Sequence, residues 1–486
     1  MHPELLLGID MGTGGVRAMA VSADGVLIAE AAAALDPDGI SVGPKHHEQS
    51  PEAWWRAMCQ AIHQVLDRMR SAGHRPEQIL ALAVDGTSGT LVALDAGGRP
   101  LRPAIMYNDP RGSAEAEELN SAAGDFCAKL GYRFSSSYAI AKIAWLRRNE
   151  PAVFFRVALF AHQADYAVAR LTGRGGVSDY SNALKTGYDL IEEQWPEWIR
   201  SDAEIADRLP EIVPPGTVIG PLTSEAAAAT GLAHGVQVVA GATDGTTACL
   251  ASGLHRPSDY NTTVGTTLVF KGLSSRICRH PQGLIYCHKL PGGLWLPGAA
   301  SNTGGECLSQ WFAGADWPAM DVLARPLLPT ASVTYPLARC GERFPFLSPN
   351  ARAFFLRPEP ATSIERYASC LQGVAFVERL AYDVLDCATG GAGGDVYSTG
   401  AGSRSDVWMQ CRADATGRVL HRPECAASGF GAAVLAGAAT LYDGLAAAVG
   451  RMVRIERSFA PQAGSATAYD ELYQRFCAEL DARGYR

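Results

Sequence analysis

Charge is sparse in this chain of 486 residues. Only 19% of its side chains are Asp, Glu, Lys or Arg, and they balance to −8. Such a chain lacks the cationic footprint that nucleic acid or an anionic membrane surface requires. A nucleotide is still within reach, because local donors and a metal outweigh net charge. The twelve cysteines include no C-x-x-C pair. Without such a framework they read as buried or free thiols of a reducing compartment. No apolar run is long enough for a membrane span. Met1-His2-Pro3-Glu4 lacks the basic start of a secretory leader, so a cytoplasmic protein is expected. No stretch reads as a Walker A loop. His46-His47-Glu48 lacks the H-E-x-x-H spacing and lies in a Pro/Gly-rich loop, which favours a solvated turn over a metal hydrolase. The length exceeds what one core supports, so two or more domains are expected. With 47% hydrophobic residues, the chain can bury large cores.

What is present starts at residue 5. Leu5-Leu6-Leu7-Gly8-Ile9 is a short apolar run ending in Asp10. Met11-Gly12-Thr13-Gly14-Gly15 turns the chain, and Val16 to Val21 returns as a second apolar run. A strand hairpin follows from this pattern. The dinucleotide fingerprint is excluded, since it needs glycine where Arg17 stands and a helix after the turn. Glycines let backbone N–H groups converge on anionic oxygens, Thr13 adds a hydroxyl, and Asp10 can hold a nucleotide's metal. A plain Gly-rich hairpin with Asp10 as turn former is the bland alternative.

Two later stretches repeat the theme. Ile79 to Val84 is a buried-strand run that opens into Asp85-Gly86-Thr87-Ser88-Gly89-Thr90. Open α/β sheets place ligands at such strand ends, and Ser88 is the candidate there. Val236 to Ala240 opens into Gly241-Ala242-Thr243-Asp244-Gly245 before an Ala-rich helix start. Asp244 is placed as a general base for a hydroxyl, with an N-cap role as the compatible alternative. Between these, Ser50 to Gly73 reads as a helix capped by Ser50, with Trp54, Met58, Ile62, Val65 and Met69 as a core stripe. Asn108-Asp109-Pro110-Arg111 suits either a sugar or a solvated turn. Residues 154–215 read as mostly helical. Within them Ser178 to Ala183 suits a helix cap more than a cleft lining.

Near residue 254 the pattern begins again. Gly265-Thr266 sits in a hairpin setting that echoes Gly12-Thr13, a suggestive internal repeat. Ser301-Asn302-Thr303-Gly304-Gly305 opens a helix. Val396 to Thr399 leads into Gly400-Ala401-Gly402-Ser403-Arg404-Ser405, with Trp408 one turn on. Strand, glycine turn and helix suit close approach to a base and ribose, although a helix-face Trp is more often core. Gly429-Phe430-Gly431 opens a small-residue helix suited to tight packing.

In order along nearly the whole chain, these segments resemble the FGGY carbohydrate kinases. Lys142 to Asn149 is similar to the core of one family signature, with Ala139 where Pro, Ser or Thr is usual. Ser369, Leu371, Gly373 and Val374 match the start of the other. Ala401 replaces a usual glycine in the adenosine-site run. Asp85 to Thr90, Ser178 to Lys185 and Tyr286 to Leu290 resemble the family's D-ribulose kinase subgroup of cyanobacteria and plants. The Met-His pair that bacterial xylulose kinases carry near Ser88-Gly89 is absent.

The resemblance implies an α/β protein with two actin-like ATPase (ribonuclease H-like) domains, residues 1–253 and 254–486, and a catalytic cleft between them. It implies ATP and Mg2+ as cofactors, a short ketose as small-molecule partner, and neither nucleic acid nor membrane. Asp10 and Asp244 would be catalytic, with Asp10 on the metal. Asp10, Ser88, Asp244 and Gly245 would meet the sugar. Gly12, Thr13, Gly14, Gly265 and Thr266 would hold phosphates. Gly304, Gly305, Gly400, Gly402, Ser403, Ser405 and Trp408 would form the nucleoside side. A non-catalytic actin-like ATP-binding protein and a plain ATPase are the competing classes.

Overall fold

The structure, a computed structural model, describes residues 4–391 and 393–486. They form two compact units, each built on a mixed sheet. The first unit runs to Ala251 and also contains His288–Gly293 and Cys425–Arg454. The second comprises Ser252–Cys287, Leu294–Glu424 and Ile455–Arg486. Among the described residues no helix is long and apolar enough to cross a membrane.

The first unit's sheet is made from β1 (Leu5–Met11), β2 (Gly15–Ser22), β3 (Leu27–Ala34), β4 (Ile79–Gly86), β5 (Val218–Pro221) and β6 (Gln237–Val239), in the order β5-β6-β4-β1-β2-β3. β1 pairs antiparallel with β2 and parallel with β4, and β4 pairs parallel with β6. A central strand covered on both faces reads as an unbroken apolar run, and Leu5, Leu6, Leu7 and Ile9 are all fully buried. Helix α1 (Pro51–Ser71) packs Trp54, Met58, Ile62, Val65 and Met69 into this core. Ser50 stands at its N-cap position, but its side chain makes no capping bond. Its carbonyl accepts from the Ala53 and Trp54 N–H groups instead. Helix α2 (Asp244–Ser252) follows β6.

Residues 154–215 depart from the helical expectation. Four-residue helical turns alternate there with short strands at Leu159–Ala161, Val177–Asp179 and Glu211–Val213, and the one longer helix is Gln163–Thr172. These strands pair with distant segments, such as Leu159–Ala161 with Val92–Leu94, so local spacing did not reveal them. Asp179 does cap the turn Tyr180–Ala183, accepting from the Ser181 and Asn182 N–H groups.

In the second unit, β7 (Tyr260–Val264), β8 (Leu268–Gly272), β9 (Trp295–Ala300), β10 (Val396–Thr399), β11 (Leu420–Pro423) and β12 (Ile455–Phe459) run in the order β9-β8-β7-β10-β11-β12. β7–β8 and β8–β9 are antiparallel, whereas β7–β10 and β10–β11 are parallel. This is the topology of β3-β2-β1-β4-β6, so the Gly-Thr echo marks a structural repeat. Helices α3 (Ser363–Thr389) and α4 (Asp406–Thr416) are joined by a bidentate pair between Glu378 and Arg412, both fully buried, with N–O distances of 2.5 and 2.6 Å.

Helix α5 (Ser428–Thr440) belongs to the first unit although it lies late in the chain. Glycines in β1 and in the helix itself let it lie directly on β1 and on α2. A Cβ at Gly8 would run into the Gly429 carbonyl oxygen, and one at Gly431 into that of Thr247. The small-residue run therefore packs tightly, as its composition suggests.

Candidate active site

Three strands of the first unit deliver three carboxylates to one end of the sheet. Asp10, next to last in β1, aligns in register with Asp85, next to last in the parallel β4. Beyond β6, Thr243 bridges Gly86, which puts Asp244 at the start of α2 beside the other two. Asp85 is fully buried, and Thr247, one turn into α2, donates to its Oδ2 at 3.0 Å. Burial, with Asp10 alongside and Asp244 nearby, holds the Asp85 carboxyl well above the usual carboxylate range. Its other oxygen, Oδ1, is buried without a hydrogen-bond partner among the described residues. The Gly245 N–H donates to Asp244 Oδ1 at 2.6 Å. Thr243 is anchored behind by the Ser181 hydroxyl, itself tied to Asp179.

The β1–β2 turn stands over Asp10. It is closed by Gly12 N–H donating to Gly15 O at 2.9 Å, and Gln49 Nε2 donates to Thr13 O at 2.8 Å. Gly14 is exposed at the tip. On the β4 side, Thr87 and Thr90 are locked by a 2.7 Å hydroxyl contact, and Gln163 Oε1 accepts from Thr87 N–H and Oγ. Ser88 lies between them and differs in kind. Its Oγ is buried and has no hydrogen-bond partner among the described residues. A rigid loop thus holds one unsatisfied hydroxyl near the carboxylates.

Behind this loop sits a polar layer that sequence reading left unassigned. Lys142, fully buried, donates to Ser136 O at 2.6 Å, and burial draws its ammonium down to about 7. Lys185 lies 4.1 Å from the centroid of the Tyr138 ring. His162 is neutral, since burial lowers it to about 4, and it spans Thr90 O and the Thr186 hydroxyl. Arg111, one reading of which was a sugar contact, is bound to Asp109 and Glu48 and stacks on Trp145 at 4.8 Å. Those bonds make it part of the wall. Asp85 is the principal residue that sequence reading missed. The available signal was a third apolar strand closing on Asp-Gly.

The second unit brings four segments together. Gly265 and Thr266 form the β7–β8 turn. Gly305 N–H donates to Gly265 O at 2.8 Å, and Glu306 N–H to Thr266 O at 3.0 Å. A Cβ at Gly304 would come within 2.6 Å of the Thr267 backbone. Gly400, at φ +85°, lies over Val264, where a Cβ would be 2.6 Å from the Val264 carbonyl oxygen. Gly402 lies against the same valine side chain and against the Trp408 ring, 2.8 Å from a hypothetical Cβ. Ser403 Oγ donates to Gly400 O at 2.6 Å, and Ser405 Oγ caps α4 by accepting from Trp408 N–H at 3.0 Å. Trp408 is buried, and its indole N–H donates to Leu371 O at 3.1 Å. Its ring supports the glycine turn from within the core. The Ser301–Thr303 approach is held by buried Glu342, which accepts from Ser301 Oγ, Thr303 Oγ1, Asn302 N–H and the Tyr335 hydroxyl at 2.6–3.0 Å. The two units thus present a carboxylate cluster with a glycine hairpin in one, and a glycine-walled turn cluster in the other.

Comparison with known proteins finds two family models in succession along the chain. The model described as FGGY family of carbohydrate kinases, N-terminal domain, matches residues 5–251, and its C-terminal counterpart matches residues 261–440. The xylulose kinase of Escherichia coli (strain K12) is 28% identical over 429 residues, covering 86% of each chain. That of Streptomyces coelicolor is 29% identical over 431 residues, covering 86% of this chain and 84% of the other. The crystal structure of xylulose kinase from Rhodospirillum rubrum superposes with a TM-score of 0.85 at 28% identity, covering 99% of both chains.

Proposed function

The chain belongs to the FGGY family of carbohydrate kinases, and we propose that it transfers the γ-phosphoryl group of ATP to the terminal hydroxyl of D-ribulose, giving D-ribulose 5-phosphate. What supports this reading is Asp244, at a helix start among the three carboxylates, together with the unsatisfied Ser88 hydroxyl in the loop that follows Asp85. In this reading residues 1–253 bind the ketose and carry the base, residues 254–486 hold the nucleotide, and the activity is cytoplasmic.

Asp244 accepts the proton of the attacking hydroxyl, with Gly245 N–H fixing the carboxylate's orientation. Ser88 bonds a sugar hydroxyl. Gly12, Thr13 and Gly14 in one hairpin, and Gly265 and Thr266 in the other, supply donors for phosphate oxygens. Gly304, Gly305, Gly400, Gly402 and Ser403 allow the nucleoside to approach backbone, with Ser405 and Trp408 holding that turn. The transition state of phosphoryl transfer is loose, so alignment and charge neutralisation carry most of the rate. Among the described residues no three His, Cys, Asp or Glu side chains form a ready-made metal cage. Mg2+ needs no such cage, being held by one or two carboxylates together with substrate phosphates, and in this reading Asp10 would be its protein ligand. Bound there, Mg2+ would neutralise phosphate charge.

The loop Asp85 to Thr90, without a Met-His pair, favours D-ribulose. The names of the relatives favour D-xylulose as the second reading. ADP release measured separately with D-ribulose, D-xylulose, L-ribulose, glycerol and D-ribose decides between them. D-ribulose should give the highest kcat/KM, at least about tenfold above D-xylulose, the scale of one well-placed hydrogen bond. Preference for D-xylulose would replace the substrate. ADP release independent of every acceptor would reduce the activity to an ATPase, and absence of turnover would leave an ATP-binding protein.

A further inference from the structure

The second unit contains two thiols that face each other across a turn. Cys278 and Cys287 are 1% and 3% exposed. Cys278 N–H donates to Cys287 Sγ at 3.3 Å, and the Cys287 thiol donates back to Cys278 O at 3.1 Å. Cys287 Sγ is therefore held against both backbone polar groups of Cys278, close enough for a disulfide to form by a small turn of the Cys278 side chain. The Cys278 thiol donates to Arg276 O at 3.5 Å. The turn between them is exposed at Arg279, Pro281, Gln282 and Gly283. The hydrogen bond from Cys287, with Arg276 nearby, lowers the Cys278 thiol and favours its thiolate near neutral pH. Cys287 is pushed the other way and keeps its proton.

We propose that Cys278 and Cys287 form a reversible, peroxide-sensitive disulfide site. The Cys278 thiolate attacks one peroxide oxygen. A sulfur–oxygen bond forms, the oxygen–oxygen bond breaks, and hydroxide leaves. The Cys287 sulfur then attacks the Cys278 sulfenic acid. The disulfide forms, the sulfur–oxygen bond breaks, and the departing hydroxide takes the Cys287 proton as water. Two thiols are oxidised and one peroxide becomes two waters. The bond would tie down the chain just before Lys289, whose ammonium donates to Leu190 O at 2.8 Å and Glu193 at 2.6 Å within the first unit.

The test treats the intact protein with hydrogen peroxide at pH 7, blocks remaining thiols, and maps peptides without reduction. A Cys278–Cys287 cross-link that dithiothreitol removes is the expected product. In Cys287→Ala, alkylation of Cys278 at pH 7 should slow by about tenfold or more. If both residues stay alkylatable while exposed Cys340 and Cys387 oxidise, the site does not exist. A cross-link seen only in denaturant has the same meaning.

Discussion

Replacing Ser88 with alanine separates a binding role from a structural one. Because Ser88 Oγ is buried without a partner, its removal breaks no bond within the protein. Deleting a buried unsatisfied polar atom is neutral or stabilising by up to about 1 kcal/mol, so the melting temperature should hold or rise by about 2–4 °C. Sugar binding should behave oppositely. The substrate loses its partner and keeps a hydroxyl buried without one, which costs about 1–3 kcal/mol, or about 5- to 150-fold in kcat/KM for the ketose. The KM for ATP should stay within about twofold, since Ser88 belongs to the first unit and the glycine turns proposed for the nucleoside belong to the second. Coupled ADP release against ketose concentration, beside a melting curve, reads both quantities. A lowered melting temperature would make Ser88 a packing residue, and an unchanged kcat/KM would remove it from the sugar site.

Asp244→Asn should lower turnover by about 10²–10⁴ while nucleotide binding, measured by calorimetry, persists; near-wild-type turnover would move the base elsewhere. Gly8→Ala drives a methyl into the Gly429 carbonyl, and overpacking of this kind should cost about 1–3 kcal/mol or more in denaturant titration. Arg412→Met strands the buried Glu378 carboxylate and should destabilise the second unit by about 3–5 kcal/mol. Burial, with Asp179 adding to it, raises Asp165 to about 8. The folded chain therefore keeps a proton there that the unfolded chain loses near pH 4, and stability falls as pH rises from about 4 to about 8. Asp165→Asn should flatten that slope in melting curves taken across the range.

What was legible in the sequence was local. Asp10 stands at the end of an apolar strand, Asp244 follows shortly after another, and the two Gly-Thr turns sit in matching hairpins. Composition and period suffice for such features. Asp85 carries the same local mark, yet its importance comes from strand register. Only the parallel pairing of β1 with β4 sets it beside Asp10. Arg111 looked suited to a sugar because the sequence does not show Glu48, 63 positions earlier, closing on it. For Trp408 the sequence favours core over a stacking ring without showing its partner, the Leu371 carbonyl that takes its N–H. Ser50 matched a capping preference that its backbone carbonyl fulfils in another way.

The late position of α5 bears on how the chain is made. Synthesis proceeds from the N-terminus, and early domains generally fold as they emerge. Here the first sheet leaves the ribosome long before the helix that shields β1 has been translated. Until the last sixty or so residues are reached, an oily sheet surface awaits its cover, and the nascent protein passes through a stage in which chaperones have something to hold.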